Sequence, residues 1–115
     1  MVGYLKEINI KSDMPTAQEA VKRMSSSISN GRSLGASAVK IIHGYGSSGK
    51  GGKIRIESRR YLQEQKDKRH IRDFIIGEDF SIFNDATLKA FGLCDELRRD
   101  KDLDRHNNGI TIIIL

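Results

Sequence analysis

The residues with the clearest capacity for chemistry lie in one stretch, His43-Gly44-Tyr45-Gly46-Ser47-Ser48-Gly49-Lys50-Gly51. Gly44, Gly46 and Gly49 fit G-x-G-x-x-G, a pattern that in dinucleotide-binding folds brings backbone N–H groups against a pyrophosphate. That use also needs an acidic residue about 20 positions further on for the ribose. Here the region is basic, and Asp67 falls inside a helical pattern rather than at a strand end. Gly44 through Gly49-Lys50 equally fits G-x-x-x-x-G-K, the opening of a loop for Mg²⁺-bound nucleotides. The next residue is Gly51, not the Ser or Thr whose hydroxyl would meet the metal, and no strand ends apolar-apolar-Asp. What survives is the physics both motifs share. A glycine-rich turn feeding a helix presents unpaired N–H groups and the positive end of the helix dipole. With Lys50, Lys53 and Arg55 beside it, such a turn is an anion site for phosphate. The plainer reading is a crossover loop whose glycines only turn the chain.

His43 is the imidazole placed to act as acid or base, and equally a ring that hydrogen-bonds to and shapes the turn. His70 and His106 sit among charged residues and read as solvent-facing. The single cysteine, Cys94, rules out an internal disulfide and a Cys-based metal cluster, and its place on an apolar helix side makes it core. Tyr45 is the candidate for base stacking, whereas Tyr4 and Tyr61 read as core.

These residues need a scaffold, and the hydrophobic pattern supplies one of alternating strands and helices. Residues 4–10 alternate as a first strand. Thr16 followed by Glu19 is a capping box, and Ala17, Ala20, Val21, Met24 and Ile28 behind it form one helical stripe. Ser25-Ser26-Ser27 weakens that helix and Asn30-Gly31 is its expected stop. A β-branched strand over 37–42 leads into the glycine-rich turn. A second helix follows over 53–68, with Ile54, Ser58, Tyr61, Leu62 and Gln65 inward, and then a strand over 71–76. The acidic segment 78–107 reads as a helical insertion capped by Asn84 or Asp85 and running to about Arg98, with Ala86, Ala90, Leu93 and Leu97 buried. Ile110–Leu115 is so uniformly apolar that it must be a covered, central strand. The order βαβαβ(α)β implies one sheet with helices packed on it.

A chain of 115 residues fits one domain, spanning 1–115. With 37% hydrophobic residues and no Trp, its core is aliphatic. It has neither a signal-peptide pattern nor an 18-residue apolar run, so a cytoplasmic location and no membrane partner are expected. The net charge of +5 is unevenly spread. Residues 1–72 hold fifteen Lys and Arg against six Asp and Glu, whereas 73–115 hold five against nine. A basic block of nine residues within 50–72 attracts polyanions, because releasing condensed counterions from a phosphate backbone drives association.

The run Val39-Lys40-Ile41-Ile42-His43-Gly44-Tyr45-Gly46-Ser47-Ser48-Gly49, followed by Ile54-Arg55, resembles the heart of the Smr (small MutS-related) domain, where a strand enters an H/T-G-x-G loop. Thr16-Ala17-Gln18-Glu19-Ala20 is similar to that family's first-helix entry, T-x-E-E-A, and Asn108-Gly109-Ile110-Thr111-Ile112-Ile113-Ile114-Leu115 to its final strand. The resemblance implies a two-layer α/β sandwich with a four-stranded mixed sheet, similar to the C-terminal domain of translation initiation factor three. It also implies binding of DNA or RNA, with nicking or cleavage in several members. The family's first strand ends in L-D-x-H. Here Asn9 stands in place of the Asp and Lys11 in place of the His, which removes a charge and a proton carrier but adds a phosphate contact.

Three functions fit these residues. The first is backbone-dominated nucleic-acid binding through Lys11, His43, Gly44, Tyr45, Gly46, Ser47, Ser48, Gly49, Lys50, Lys53 and Arg55. The second is an endonuclease with a rearranged site, in which His43 works with Glu7 or Asp13 and Mg²⁺; no cofactor is otherwise implied. The third is a small-ligand or protein-interaction module, with the acidic 78–104 segment as the surface for a protein partner.

Overall fold

The computed structural model describes residues 4–13, 15–44 and 49–115. Strand β1 (Leu5–Asn9), helix α1 (Ala17–Ser33), strand β2 (Ala38–Ile42), helix α2 (Gly49–Asp67) and strand β3 (Asp73–Ile76) follow the expected alternation. A short 3-10 turn (Gly77–Asp79), helix α3 (Asp85–Leu93), a second 3-10 turn (Asp95–Arg99) and strand β4 (Ile110–Ile114) complete the chain. The mixed sheet has the order β1-β2-β4-β3. β1 runs parallel to β2, and β4 is antiparallel to both β2 and β3. β4 is thus central, and all five of its residues are buried.

Helices α1 and α2 cover one face. Ile10, Met24, Val39, Ile41, Leu62 and Ile113 are among the buried residues of that layer. The Thr16 capping box forms as expected, Thr16 Oγ1 accepting from the Glu19 N–H at 3.1 Å and Glu19 Oε1 from the Thr16 N–H at 3.1 Å. The segment between β3 and β4 covers the opposite face, where Phe80, Ala90, Phe91, Cys94 and Leu97 pack on Ile110, Ile112 and Ile114.

Four local readings need correction. Helix α1 does not stop at Asn30-Gly31 but continues to Ser33, with Gly31 packed so closely that a Cβ there would lie 3.0 Å from Val39 Cγ2. The real stop is Gly35 at φ +80°, where the Ala36 N–H reaches the Gly31 carbonyl and the Gly35 N–H reaches that of Arg32, a Schellman closure. Helix α2 starts at Gly49 rather than Lys53. Helix α3 ends at Leu93, which is 43% exposed, because Cys94 takes an extended backbone (φ −147°, ψ 95°). That break turns Cys94 and Leu97 into the core together, and Phe91 fills the place expected for Leu93. Finally, Tyr4 lies at the surface, its hydroxyl donating to the Leu34 carbonyl at 2.7 Å.

Candidate nucleic-acid interface

The ends of β1 and β2 and the start of α2 meet at one end of the sheet, because β1 and β2 are parallel and each is followed by a helix. β1 closes with an Asx-type turn in which the Asn9 side-chain oxygen accepts the Lys11 N–H at 2.9 Å. An Arg23 guanidinium nitrogen secures the following residues by donating to the Ser12 carbonyl at 2.6 Å. Lys11 is exposed, and its stem crosses Gly44: a Cβ on Gly44 would lie 3.1 Å from Lys11 Cδ and 4.0 Å from its Nζ. Gly44 has φ +83°, a left-handed conformation that glycine enters without strain. Lys11, Gly44, Lys101 and Asn107 line one depression, with Asp102 and Gly109.

His43, beside Gly44 in sequence, is 1% exposed. Its Nδ1 lies 3.0 Å from the Gly44 carbonyl, which can only accept, so Nδ1 carries the proton. Nε2, 2.9 Å from Thr111 Oγ1, then accepts from that hydroxyl. Burial, joined by the charges of Arg59 and Arg55, lowers the imidazole pKa and outweighs the opposing Gly44 carbonyl and Glu78. Arg59 in turn holds Glu78 at 2.6 Å. Burial alone would raise the Glu78 pKa, but its own backbone N–H and Arg59 outweigh it, so the carboxyl stays ionised.

The structure therefore brings Lys11 to Gly44 and sets Arg55, half-buried, near His43. Lys53 is exposed on the second turn of α2. Gly49 and Lys50 belong to the first turn of α2 by backbone, while Tyr45, Gly46, Ser47 and Ser48 lie outside the described residues. Glu7 is on the opposite sheet face from His43, 3.5 Å from Lys40. Among the described residues no group of three or more His, Cys, Asp and Glu side chains is arranged to hold a metal ion.

Sequence reasoning missed the support beneath this edge. Lys40 is 1% exposed and bridges Asp100 at 2.8 Å and Asp102 at 2.5 Å. Asp102 Oδ1 accepts from Asn107 Nδ2 at 3.0 Å, and Asn107 Oδ1 accepts the Gly109 N–H at 2.9 Å. The Gly109 carbonyl accepts both the His43 and the Gly44 N–H at 3.0 Å. A hydrogen-bonded chain thus runs from the buried lysine to the backbone of His43 and Gly44. One signal was available: a lysine inside an otherwise β-branched strand demands a buried counter-charge. Many carboxylates of the acidic segment are spent internally, Asp95 on Arg98 and Arg99, Glu96 on the Leu5 N–H, and Asp104 on the Ile82 N–H.

A mixed four-stranded sheet with β4 central and two helices on one face defines an open-sheet α/β module. The Smr domain model matches residues 13–78, more than half of the sequence, and the chain belongs to that family. The crystal structure of the Smr domain of Thermus thermophilus MutS2 shares the fold with a TM-score of 0.58 at 21% identity, covering 96% of each chain. Among curated proteins, none matches. Family membership supports a nucleic-acid-binding or nuclease-related module in general. No helix among the described residues is long and apolar enough to cross a membrane.

Proposed function

We propose that the edge formed by Lys11, Gly44, Lys101 and the opening of α2 binds the phosphate backbone of DNA or RNA without base-specific readout and without cleaving it. One observation carries this reading: the Lys11 side chain crosses Gly44, so a cation and the left-handed Gly44 backbone share one depression. Helix α2 adds its N-terminal N–H groups, its dipole and the cations Lys53 and Arg55 at the same end. Binding without cleavage is supported by His43, whose two ring nitrogens are engaged and whose burial favours the neutral form. It is supported too by Asn9, which cannot carry the charge an Asp would bring to that strand end.

Fluorescence anisotropy on duplex DNA and structured RNA across a range of salt tests the reading. Three to four phosphate contacts give a slope of log K against log salt of about −3 to −4 on duplex DNA. Combining Lys11→Ala, Lys53→Ala and Arg55→Ala flattens it. Affinity that stays constant from low to physiological salt overturns the proposal. Plasmid and RNA incubated with Mg²⁺, Mn²⁺ or EDTA remain intact; cleavage that His43→Ala abolishes would assign an endonuclease instead. A free nucleotide that raises Tm while DNA and RNA do not would assign a small-ligand module.

A further inference from the structure

The end of the molecule opposite the glycine turn is also strongly basic. There α1, α2 and β4 all terminate, and Arg32, Lys66, Arg69 and Arg72 line a depression floored by Ile71 and Leu115. Lys66 is paired with Asp73 at 3.0 Å. Arg32, Arg69 and Arg72 are exposed, and none has a carboxylate partner among the described residues. With Lys66 paired, Arg32, Arg69 and Arg72 outnumber the Leu115 backbone carboxylate among the lining groups and leave the hollow net positive.

A second observation concerns Arg69 alone. Helices α1 and α2 end in the same Schellman closure. At the end of α2 the His70 N–H reaches the Gln65 carbonyl and the Arg69 N–H reaches that of Lys66, at 2.9 Å each. The residue at the centre of this motif is left-handed, and α1 uses Gly35 there, at φ +80°. At the matching position α2 has Arg69, at φ +61°. An arginine is strained at this position where glycine is not, as are Asp13, Asp104 and His106 at their own positive φ, so Arg69→Gly removes the guanidinium without adding backbone strain.

We propose that this basic pole is a second phosphate site for the same nucleic acid, and that a backbone lying along α2 reaches it from the glycine turn. The proposal rests on the nucleic-acid reading of that turn. Helix α2 has 19 residues and is therefore about 28 Å long. A duplex rises about 3.4 Å per base pair, so the two sites are bridged only by duplexes longer than about 8 base pairs.

The test compares wild type, Arg69→Gly and Arg72→Gln on a duplex of about 16 base pairs and on a hairpin with a stem of about 6, with Tm measured alongside. Arg69→Gly leaves Tm unchanged or raises it, because glycine relieves the left-handed position. On the long duplex both variants bind several-fold more weakly, and the salt slope falls by about 0.9 for each phosphate no longer neutralised. On the short hairpin both match wild type. Variants that hold wild-type affinity and slope on the long duplex overturn the pole while leaving the glycine-turn reading intact. A lower Tm for Arg69→Gly with unchanged affinity also overturns it, assigning the guanidinium to the exposed carbonyls at the end of α2. Equal weakening on hairpin and long duplex overturns the bridging geometry. If wild type binds neither, the glycine-turn reading fails first and the pole fails with it.

Discussion

The ammonium of Lys40 sits between the carboxylates of Asp100 and Asp102, 2.8 Å from the first and 2.5 Å from the second, with only 1% of the side chain exposed. It fastens the acidic segment after β3 to the middle of the sheet across about sixty residues of sequence. Burial alone would lower the lysine's pKa, but the two aspartates outweigh it and hold the ammonium above its ordinary range. Removing the lysine leaves two carboxylates facing each other without a counter-charge. Lys40→Ala is expected to cost about 3–5 kcal/mol in urea unfolding. A loss below about 1 kcal/mol would mean that water already solvates the cluster.

The same cluster sets a pH window. Burial pushes the Asp102 pKa up, but Asn107 and Lys40 outweigh it and the net direction is down. A lowered carboxylate contributes stability above its unfolded value of about 3.9, and this is lost as pH falls through the folded value. The raised Lys40 contributes below its unfolded value of about 10.4, and this is lost as pH rises through the folded value. Between those limits Asp102 and Lys40 give a plateau. Lys40→Met removes the alkaline limb and shrinks the acid one, as equilibrium unfolding at a series of pH values will read.

His43 adds a separate acid dependence. Its folded pKa is lowered, so the unfolded state takes up protons first as the solution is acidified. The stabilisation is complete above about pH 6.5 and drains away as pH falls through the lowered folded value. His43→Gln keeps hydrogen-bonding capacity without titrating, so its Tm stays flatter than wild type between about pH 5 and 7. Parallel profiles for the two proteins would place the acid sensitivity elsewhere. Nitrogen NMR of the wild-type ring should find the proton on Nδ1.

Two glycines predict opposite outcomes from the same substitution. A Cβ on Gly77 would lie 1.6 Å from the Asn107 carbonyl oxygen, which is backbone and cannot swing aside. Gly77→Ala therefore costs at least about 1–3 kcal/mol and disturbs the support under Gly109. Gly92 is exposed in α3 with nothing within 4 Å of a built Cβ, so Gly92→Ala stabilises by about 0.5–1 kcal/mol. Denaturation midpoints moving in the same direction would contradict the packing described.

Asn107 links Asp102 to Gly109, whose carbonyl holds the His43 and Gly44 N–H groups. Asn107→Ala should speed amide hydrogen exchange at His43 and Gly44 while leaving the exchange of Ile41 and Ile113 in the core unchanged. Uniformly faster exchange would instead mean global destabilisation.

Helix α1 was legible because its capping box and apolar stripe are local, and β4 because an unbroken apolar strand has no stable place except the middle of a sheet. The inward face of α2 was equally plain, with Ile54, Ser58 and Leu62 all buried. The break at Cys94 was not, since helical spacing continues through it and only the shape of the sheet face favours the turn. The meeting of Lys11 with Gly44 followed from parallel β1 and β2. Lys101 and Asn107 could not be placed beside them, because a partner separated by some ninety residues leaves no periodic trace.

The central position of β4 also governs the order of assembly. β2 and β3 share no ladder and are joined only through a strand that comes after both. Until Ile110–Ile114 has been synthesised and docked, each keeps an open edge of apolar, β-branched backbone. Pairings of such sequence separation close slowly, and the nascent chain is therefore exposed to misassociation at these edges until β4 arrives. A Pro within β4 would prolong that interval, appearing first as a loss of soluble yield rather than as a change in ligand affinity.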